Sequence, residues 1–263
     1  MLFDTHAHYD DDQFDGDRET LLASLPEQGV GLVVNPGCTV ASSRTAVELA
    51  RRFPHVYAAV GIHPENCGDF RPEDLDAIRA LAREDKVVAI GEIGLDYYWP
   101  ENPPRPLQQQ VLRSQLALAR ELDIPVTMVT DTYQFPMGQA MLTVYPPVGA
   151  GDLNEQGLTF LCSAGNFNAL ITGDMAGNTE KKLVERFDLP DIEVLVVGHH
   201  GSRYSSTDVF LQQMRPETAI ISVGDNSYGH PTQEAMDRLS RNGATVYRTD
   251  RQGNVLVTVN GGT

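Results

Sequence analysis

Strand-like and helix-like patterns alternate regularly through the first half of the chain, and this alternation constrains the fold more than any other feature. The strand-like segments are short apolar runs at residues 1–6, 30–36, 56–62, 87–92 and 124–129. The helix-like segments lie between them, at 17–28, 39–53, 71–85 and 106–122. Because a helix follows each of the first four strands, we expect a parallel sheet, and strict alternation favours a (β/α) barrel.

The pattern changes after about Val126. Residues 130–156 are rich in Pro, Gly and polar groups and have no helical period, whereas residues 158–163 and 168–173 flank a turn and predict an antiparallel hairpin. Further segments are predicted as strands at 192–198, 217–223, 244–249 and 253–259 and as helices at 179–187, 206–214 and 231–242. Hairpins mixed with βα units predict an α/β sandwich layer. We therefore expect two domains, 1–127 and 128–263.

The composition limits the functional classes. The chain of 263 residues carries a formal net charge of −16, which argues against sequence-independent binding to duplex DNA. A nuclease is not excluded, because bound divalent metals supply positive charge locally. Three widely spaced cysteines suggest a reducing compartment. We find no apolar run long enough to span a membrane and no leader pattern, so we expect a cytoplasmic protein.

Metal-ligating side chains follow several of the predicted parallel strands. His6 and His8 occupy alternate positions at the end of the first strand and so share one face. Glu92 ends the fourth strand, and His63 follows the third. The carboxyl ends of parallel strands form one rim, so His6, His8 and Glu92 predict a divalent metal site for zinc, magnesium or manganese. We interpret Asp10, Asp11 and Asp12 as a solvated run of charge before a helix.

Several ordered motifs in this half resemble the TatD family of metal-dependent deoxyribonucleases. They are Phe3-Asp-Thr-His-Ala-His8, Asn35-Pro-Gly-Cys38, Ala59-Val-Gly-Ile-His-Pro64 and Ile90-Gly-Glu-Ile-Gly-Leu-Asp-Tyr97. The resemblance implies a (β/α)8 barrel that holds one or two divalent metals and hydrolyses DNA phosphodiesters. It implies that His6, His8 and Glu92 are metal ligands and that His63 lines the site for substrate.

The resemblance stops abruptly at the fifth strand. The family places a ligand histidine where this chain has Val129. The family's later His-Cys-Phe-Ser-Gly motif and C-terminal aspartate have no counterpart here. We therefore expect a partial TIM-type barrel with an incomplete site.

A second group of polar residues follows strands in the other half, namely Asp174, His199, His200 and His230. From position alone, Asp174 suits either a capped turn or a metal-bridging role, and the two adjacent histidines suit either a polar loop or ligation. The motifs Thr172-Gly-Asp-Met and Val197-Gly-His-His-Gly-Ser, with Ser222-Val-Gly-Asp-Asn-Ser-Tyr-Gly-His-Pro231, resemble the metallo-β-lactamase-fold domain of ComEC-type competence proteins.

That second resemblance covers approximately residues 133–263. It implies that Asp174 bridges metals, that one of His199 and His200 is a ligand, and that the other histidine and His230 line the substrate phosphate. The fold's first half, with its His-x-His-x-Asp-His loop, is absent from the sequence. We expect half of an αββα sandwich joined to the partial barrel.

Our leading hypothesis is a metal-dependent hydrolase of phosphodiesters, of the TatD deoxyribonuclease type, with DNA or a small phosphodiester as substrate. The alternatives are an inactive chimera of two metal hydrolases, a ComEC-like metallo-β-lactamase-fold hydrolase, and a non-catalytic module that binds metal or phosphate. The sequence identifies no general base, and no protein partner can be inferred from it.

Overall fold

The computed structural model describes residues 2–151 and 153–259. It divides the chain into two compact units, Met1–Thr127 and Met128–Thr263. None of the helices in those described ranges combines the length and the apolar character needed to span a membrane.

The first unit contains a four-stranded parallel sheet in the order β1-β2-β3-β4. Its strands are β1 (Leu2–Asp4), β2 (Val30–Pro36), β3 (Val56–Val60) and β4 (Val87–Ile90). Its helices are α1 (Arg18–Ser24), α2 (Val40–Arg52), α3 (Pro72–Leu81) and α4 (Arg105–Glu121). The predicted α/β class with a parallel sheet is confirmed, and the partial TIM-type barrel remains a prediction.

Local sequence explains where these helices begin. Thr39 caps α2, because its side-chain oxygen accepts a hydrogen bond from the backbone N–H of Ser42 at 3.0 Å. Pro72 and Pro106 lie in the first turns of α3 and α4, where a missing N–H costs nothing. The apolar faces of the helices pack on β2 and β3, whose Val33, Val56 and Ala58 are fully buried.

A buried glutamine attaches α4 to the segment that leaves β3. The Gln115 side chain accepts the backbone N–H of Ile62 at 2.7 Å and donates to the Ile62 carbonyl at 3.0 Å. Gln115 and Ile62 are both buried, so these bonds satisfy a main-chain pair that has no strand partner. The adjacent residue is His63, so the same contact helps to fix one of the predicted site residues.

The fifth predicted strand, 124–129, was wrong. This segment has no strand structure, and Val126 and Met128 are exposed. Asp123 adopts a left-handed conformation with φ of 55°, which ends the helix before it. Within the described ranges, the apolar run of residues 124–129 pairs with no strand.

The second unit contains a seven-stranded mixed sheet in the order β11-β10-β9-β8-β7-β6-β5. The strands are β5 (Tyr133–Met137), β6 (Ala140–Tyr145), β7 (Thr159–Ala164), β8 (Phe167–Ile171), β9 (Val194–Val196), β10 (Thr218–Ile221) and β11 (Thr245–Arg248). The helices are α5 (Gly177–Arg186), α6 (Asp208–Met214), α7 (Gln233–Arg241) and α8 (Thr249–Gln252).

The predicted hairpin is confirmed as β7 and β8, which pair antiparallel. The β5–β6 hairpin was missed, because Pro136 and a short polar turn conceal its alternation; Gly138 occupies that turn with φ of 63°. The strand predicted at 253–259 was wrong, since that segment has no strand structure.

One face of the second sheet is buried beneath helices. Leu161, Leu170 and Leu195 on this face join the core that includes Leu183 of α5 and Phe210 of α6. Alternate strand residues point to the opposite face. Phe135, Ile171 and Tyr247 occupy such positions and are exposed. Half of an αββα sandwich remains the prediction for this unit.

Replacing Gln115 with alanine removes both bonds to Ile62. We expect the free energy of unfolding to fall by about 1–3 kcal/mol, because a buried N–H and C=O lose their partners. Urea denaturation monitored by circular dichroism measures the change. Gln110→Ala, an exposed glutamine of the same helix, is the control and should change stability by less than about 0.5 kcal/mol. Equal losses in the two variants would contradict this role for Gln115.

Candidate metal centre

Three predicted ligands of the first unit converge. The Nε2 atoms of His6 and His8 are 3.1 Å apart, and Glu92 Oε2 lies 3.3 Å from the first and 3.5 Å from the second. In the described part of the chain, this is the one group of three or more His, Cys, Asp or Glu side chains whose potential ligand atoms all lie within 4.8 Å of one another.

These separations fit a small divalent cation. Ligand atoms placed tetrahedrally at the usual zinc–nitrogen distance are about 3.3 Å from one another. The three separations in the structure range from 3.1 to 3.5 Å. The side chains of His6, His8 and Glu92 are 53%, 37% and 33% exposed, so solvent and substrate can reach this cluster. Three protein ligands facing solvent leave a coordination position open, as in catalytic zinc sites.

The main chain folds over the sheet to bring Glu92 to the histidines. The Glu92 N–H donates to the Gly37 carbonyl beyond β2 at 2.9 Å, although β4 pairs with β3. A Cβ atom at Gly61, after β3, would lie 2.9 Å from the carbonyl carbon of Gly91. A glycine at position 61 therefore allows this close crossing.

Asp10 positions His8, although our sequence interpretation left Asp10 in a solvated run of charge. Its Oδ1 lies 3.7 Å from His8 Nδ1 and accepts a hydrogen bond from Asn35 Nδ2 at 2.7 Å. The Asp10 N–H donates to Asn35 Oδ1 at 3.2 Å, and Asn35 is fully buried on β2. At 3.7 Å the carboxylate acts on the ring through its charge, which favours the orientation of His8 that turns Nε2 toward the cluster. Asp11 and Asp12 are exposed, as expected.

His63 lies beside the cluster, with its Nε2 3.7 Å from Glu92 Oε1. Its Nδ1 accepts the backbone N–H of Glu65 at 3.4 Å, so the neutral ring carries its proton on Nε2. His63 can thus donate to an oxygen atom at the rim. Its role in binding substrate remains a prediction.

Sequence reasoning missed Cys38. Its thiol donates to Glu92 Oε2 at 3.9 Å, and the Cys38 carbonyl accepts the His63 N–H at 2.9 Å. Burial, followed by the negative charge of nearby carboxylates, with Glu92 the foremost, raises the pKa of the Cys38 thiol to about 11. The neutral thiol therefore contacts the carboxylate as a hydrogen-bond donor. Its position directly after β2, at the same rim as the histidines, was the available signal.

The four polar residues of the second unit form two pairs. His200 Nε2 lies 3.9 Å from Asp174 Oδ1, and His200 Nδ1 is 2.7 Å from the Ser222 carbonyl, to which it donates. The His199 ring meets the His230 ring edge to face, with centroids 5.6 Å apart. Asp174 and His200 are thus adjacent, whereas His199 pairs with His230. Ligation by Asp174, His199 or His200 remains a prediction.

The histidine loop of the second unit has an unusual backbone. His199 and His200 both adopt left-handed conformations, with φ of 50° and 53°. The segment after this loop is held by the buried carboxylate of Glu180. This carboxylate accepts hydrogen bonds from the backbone N–H of Thr207, at 2.9 Å, and from that of Ser206. Burial raises the pKa of Glu180.

A cavity of about 390 Å³ lies beside this loop and is lined in part by His200, Asn226, Tyr228 and His230. Burial, and then the neighbouring His199 and His200, lower the pKa of His230. A neutral His230 at the cavity wall is compatible with the predicted substrate-lining role, which stays a prediction.

Comparison with known proteins identifies relatives of the first half. Residues 3–130 match the family described as "TatD related DNase". The metal-dependent hydrolase YabD of Bacillus subtilis is 40% identical over 126 residues, which cover 48% of this chain and 49% of YabD. The "3'-5' ssDNA/RNA exonuclease TatD" of Salmonella typhimurium is 37% identical over 127 residues, covering 48% of each chain.

A further relative has a different description. The "ComE operon protein 3" of Bacillus subtilis is 38% identical over 103 residues, covering 39% of this chain and 13% of that protein. The chain spans about half the length of the TatD-type relatives that it matches.

Replacing Asp10 with asparagine tests the positioning of His8. Asparagine keeps an oxygen for Asn35 but removes the negative charge from His8 Nδ1. We expect zinc affinity, measured by competition with a chromophoric chelator, to fall by about 10- to 100-fold. Asp12→Asn, at an exposed neighbouring position, should leave the affinity unchanged. Equal affinities for the wild type and Asp10→Asn would refute the assignment.

Proposed function

We propose that this chain is a metal-dependent hydrolase of phosphodiesters, of the TatD deoxyribonuclease type, acting with an incomplete site. One observation carries the proposal. Two imidazole nitrogens and a carboxylate oxygen lie 3.1 to 3.5 Å apart at an exposed rim. Such donors at this spacing suit zinc, magnesium or manganese.

His6, His8 and Glu92 would hold the cation. When bound, a divalent metal there would supply a Lewis acid for the phosphate and lower the pKa of a water molecule. The remaining residues orient these ligands. Asp10 directs His8, and the Cys38 thiol contacts Glu92. The Nε2–H of His63 would donate to a phosphate oxygen, a contact that stabilises negative charge during displacement.

The relative from Salmonella typhimurium is described as acting on single-stranded DNA and RNA. We propose the same class of substrate here, with small phosphodiesters as a second class. The net charge of −16 supports this choice, because extended duplex binding depends on neutralising many phosphates with basic residues. A short single strand, or a small diester, presents fewer phosphates.

We also infer that the chain joins a TatD-like first half, residues 1–127, to a ComEC-like second half, residues 133–263. The motifs around Asp174, His200 and His230 support this inference, as does the 38% identical relative "ComE operon protein 3". The proximity of Asp174 and His200 leaves a metallo-β-lactamase-type hydrolase as a second candidate. An inactive chimera is the outcome that the following measurement would reveal.

Metal content after equilibration with zinc or manganese tests where the cation binds. We compare the wild type with His6→Ala/His8→Ala and with Asp174→Ala. We expect the wild type and Asp174→Ala to hold about one tightly bound metal per chain, and the double variant to hold none, because it loses two of three ligands. Elemental analysis of the dialysed proteins gives the ratios.

A variant that binds the metal should hydrolyse bis(p-nitrophenyl) phosphate and a single-stranded oligonucleotide, and a variant without the metal should hydrolyse neither. The hydrolysis rate of the His6→Ala/His8→Ala variant should equal that of buffer without protein, while Asp174→Ala should retain activity. Loss of the metal in Asp174→Ala alone would mean that the metal site, and with it the proposed hydrolysis, belongs to the second unit. A wild type that binds no metal and hydrolyses neither substrate would establish the inactive chimera.

A further inference from the structure

The loop between β4 and α4, residues 91–104, presents two large aromatic side chains to solvent. Tyr98 is 75% exposed and Trp99 is 51% exposed. Their rings meet edge to face, with centroids 4.8 Å apart and an interplanar angle of 88°. Exposing so much aromatic surface forgoes the stabilisation that burial would give. The packing of the unit therefore gives no reason for placing a Tyr-Trp pair at this position.

Hydrogen bonds from α4 and from within the loop itself hold this loop in place. Gln108 of α4 is buried; its side chain accepts the Asp96 N–H at 2.8 Å and donates to the carbonyls of Asp96 at 2.8 Å and Pro103 at 2.7 Å. The Asp96 carboxylate accepts the Tyr98 N–H at 2.8 Å. Both ends of the aromatic segment are thus fixed by hydrogen bonds, so the segment presents its rings in a defined orientation.

A cleft adjoins the exposed pair. It has a volume of about 240 Å³ and is lined in part by Tyr97, Trp99, Pro100 and Arg105. The Arg105 guanidinium lies 4.5 Å from the centroid of the Tyr97 ring, and Gln109 Nε2 donates to the Tyr97 hydroxyl at 2.9 Å. The walls are therefore planar groups that are themselves held in place. Such a cleft suits a flat aromatic ligand.

The charge of the loop argues against recognition mainly through phosphates. Residues 91–104 include three acidic residues, Glu92, Asp96 and Glu101, and no lysine or arginine. Arg105, which follows, is directed over Tyr97. This loop therefore suits binding through the bases, because aromatic rings attract every base through its π-face.

We propose that Tyr98 and Trp99 form a base-stacking platform for a single-stranded nucleic acid. This inference rests on the proposed function, since Glu92, at the start of the same loop, belongs to the metal cluster. The loop thus joins a ligand of the centre to the residues that hold the bases. Stacking makes substrate choice depend on unpaired bases, since bases within a duplex have no free faces.

The chain contains one tryptophan, so its fluorescence reports on this loop directly. We titrate the 263-residue protein in EDTA, which prevents hydrolysis, with ten-nucleotide oligothymidine and oligouridine. We expect both to quench Trp99, because base stacking requires no 2′-hydroxyl. An abasic strand of equal length and a duplex with closed ends should cause no quenching.

Affinity measured by anisotropy of a labelled oligothymidine tests the individual rings. Tyr98→Ala and Trp99→Ala should each weaken binding by about 5- to 100-fold. The control is Tyr204→Ala, which removes a tyrosine that is 70% exposed in the second unit. It should bind as the wild type does. Raising the salt concentration should change the affinity little, because few ion pairs are involved.

Binding of the abasic strand as tightly as oligothymidine would overturn the platform, and so would unchanged affinity in both ring variants. The small diester separates this result from the proposed function, because it needs no stacked base. Normal hydrolysis of the diester without base-dependent quenching refutes the platform alone. Base-dependent quenching by a protein that hydrolyses neither substrate supports the platform and refutes the proposed function.

Discussion

Parallel pairing of the first four strands is the constraint on which the candidate metal centre depends. It directs the ends of β1, β3 and β4 to the same edge, where His6, His63 and Glu92 follow. In a flat sheet, β1 and β4 would be separated by about 14 Å, three times the usual strand spacing. Glu92 nevertheless lies 3.3 Å from His6. The main chain after β4 achieves this by crossing to β2, where the Glu92 N–H bonds to the Gly37 carbonyl.

The two histidine clusters differ in how their donors are arranged. In the first unit, three donor atoms face one another, and a buried Asn35–Asp10 pair supports one of them. In the second unit, His200 Nε2 lies 3.9 Å from Asp174 Oδ1, and a backbone carbonyl fixes the other nitrogen of His200. A cation needs several donors at once, because its hydration must be replaced. The first cluster is therefore the better preorganised one, even though both have the right residue types.

Much of this arrangement follows from local sequence. Apolar runs separated by helical periods predicted β2, β3 and β4. The alternate spacing of His6 and His8 predicted that they would lie together, and they do, although both follow β1, which ends at Asp4. Their position at strand ends predicted that Glu92 would join them. The same reasoning failed at 124–129, where the apolar run follows the left-handed residue Asp123 and forms no strand. Asp10 was misread since a carboxylate in an acidic run shows no sign of a buried partner 25 residues away.

The sequence by itself determined the strands β2, β3 and β4, the β7–β8 hairpin and the residue types able to bind a metal. Strand and helix periods depend on residues that are close along the chain, so the spacing of apolar and polar residues reveals them. Tertiary structure decided which donors meet, because the crossing at Gly37, the contact of Cys38 with Glu92 and the pairing of His199 with His230 are all long-range. It also decided that Tyr98 and Trp99 stay exposed, since a buried glutamine of another element, Gln108, fixes the loop that carries them. Such contacts depend on packing between distant segments, which no local pattern encodes.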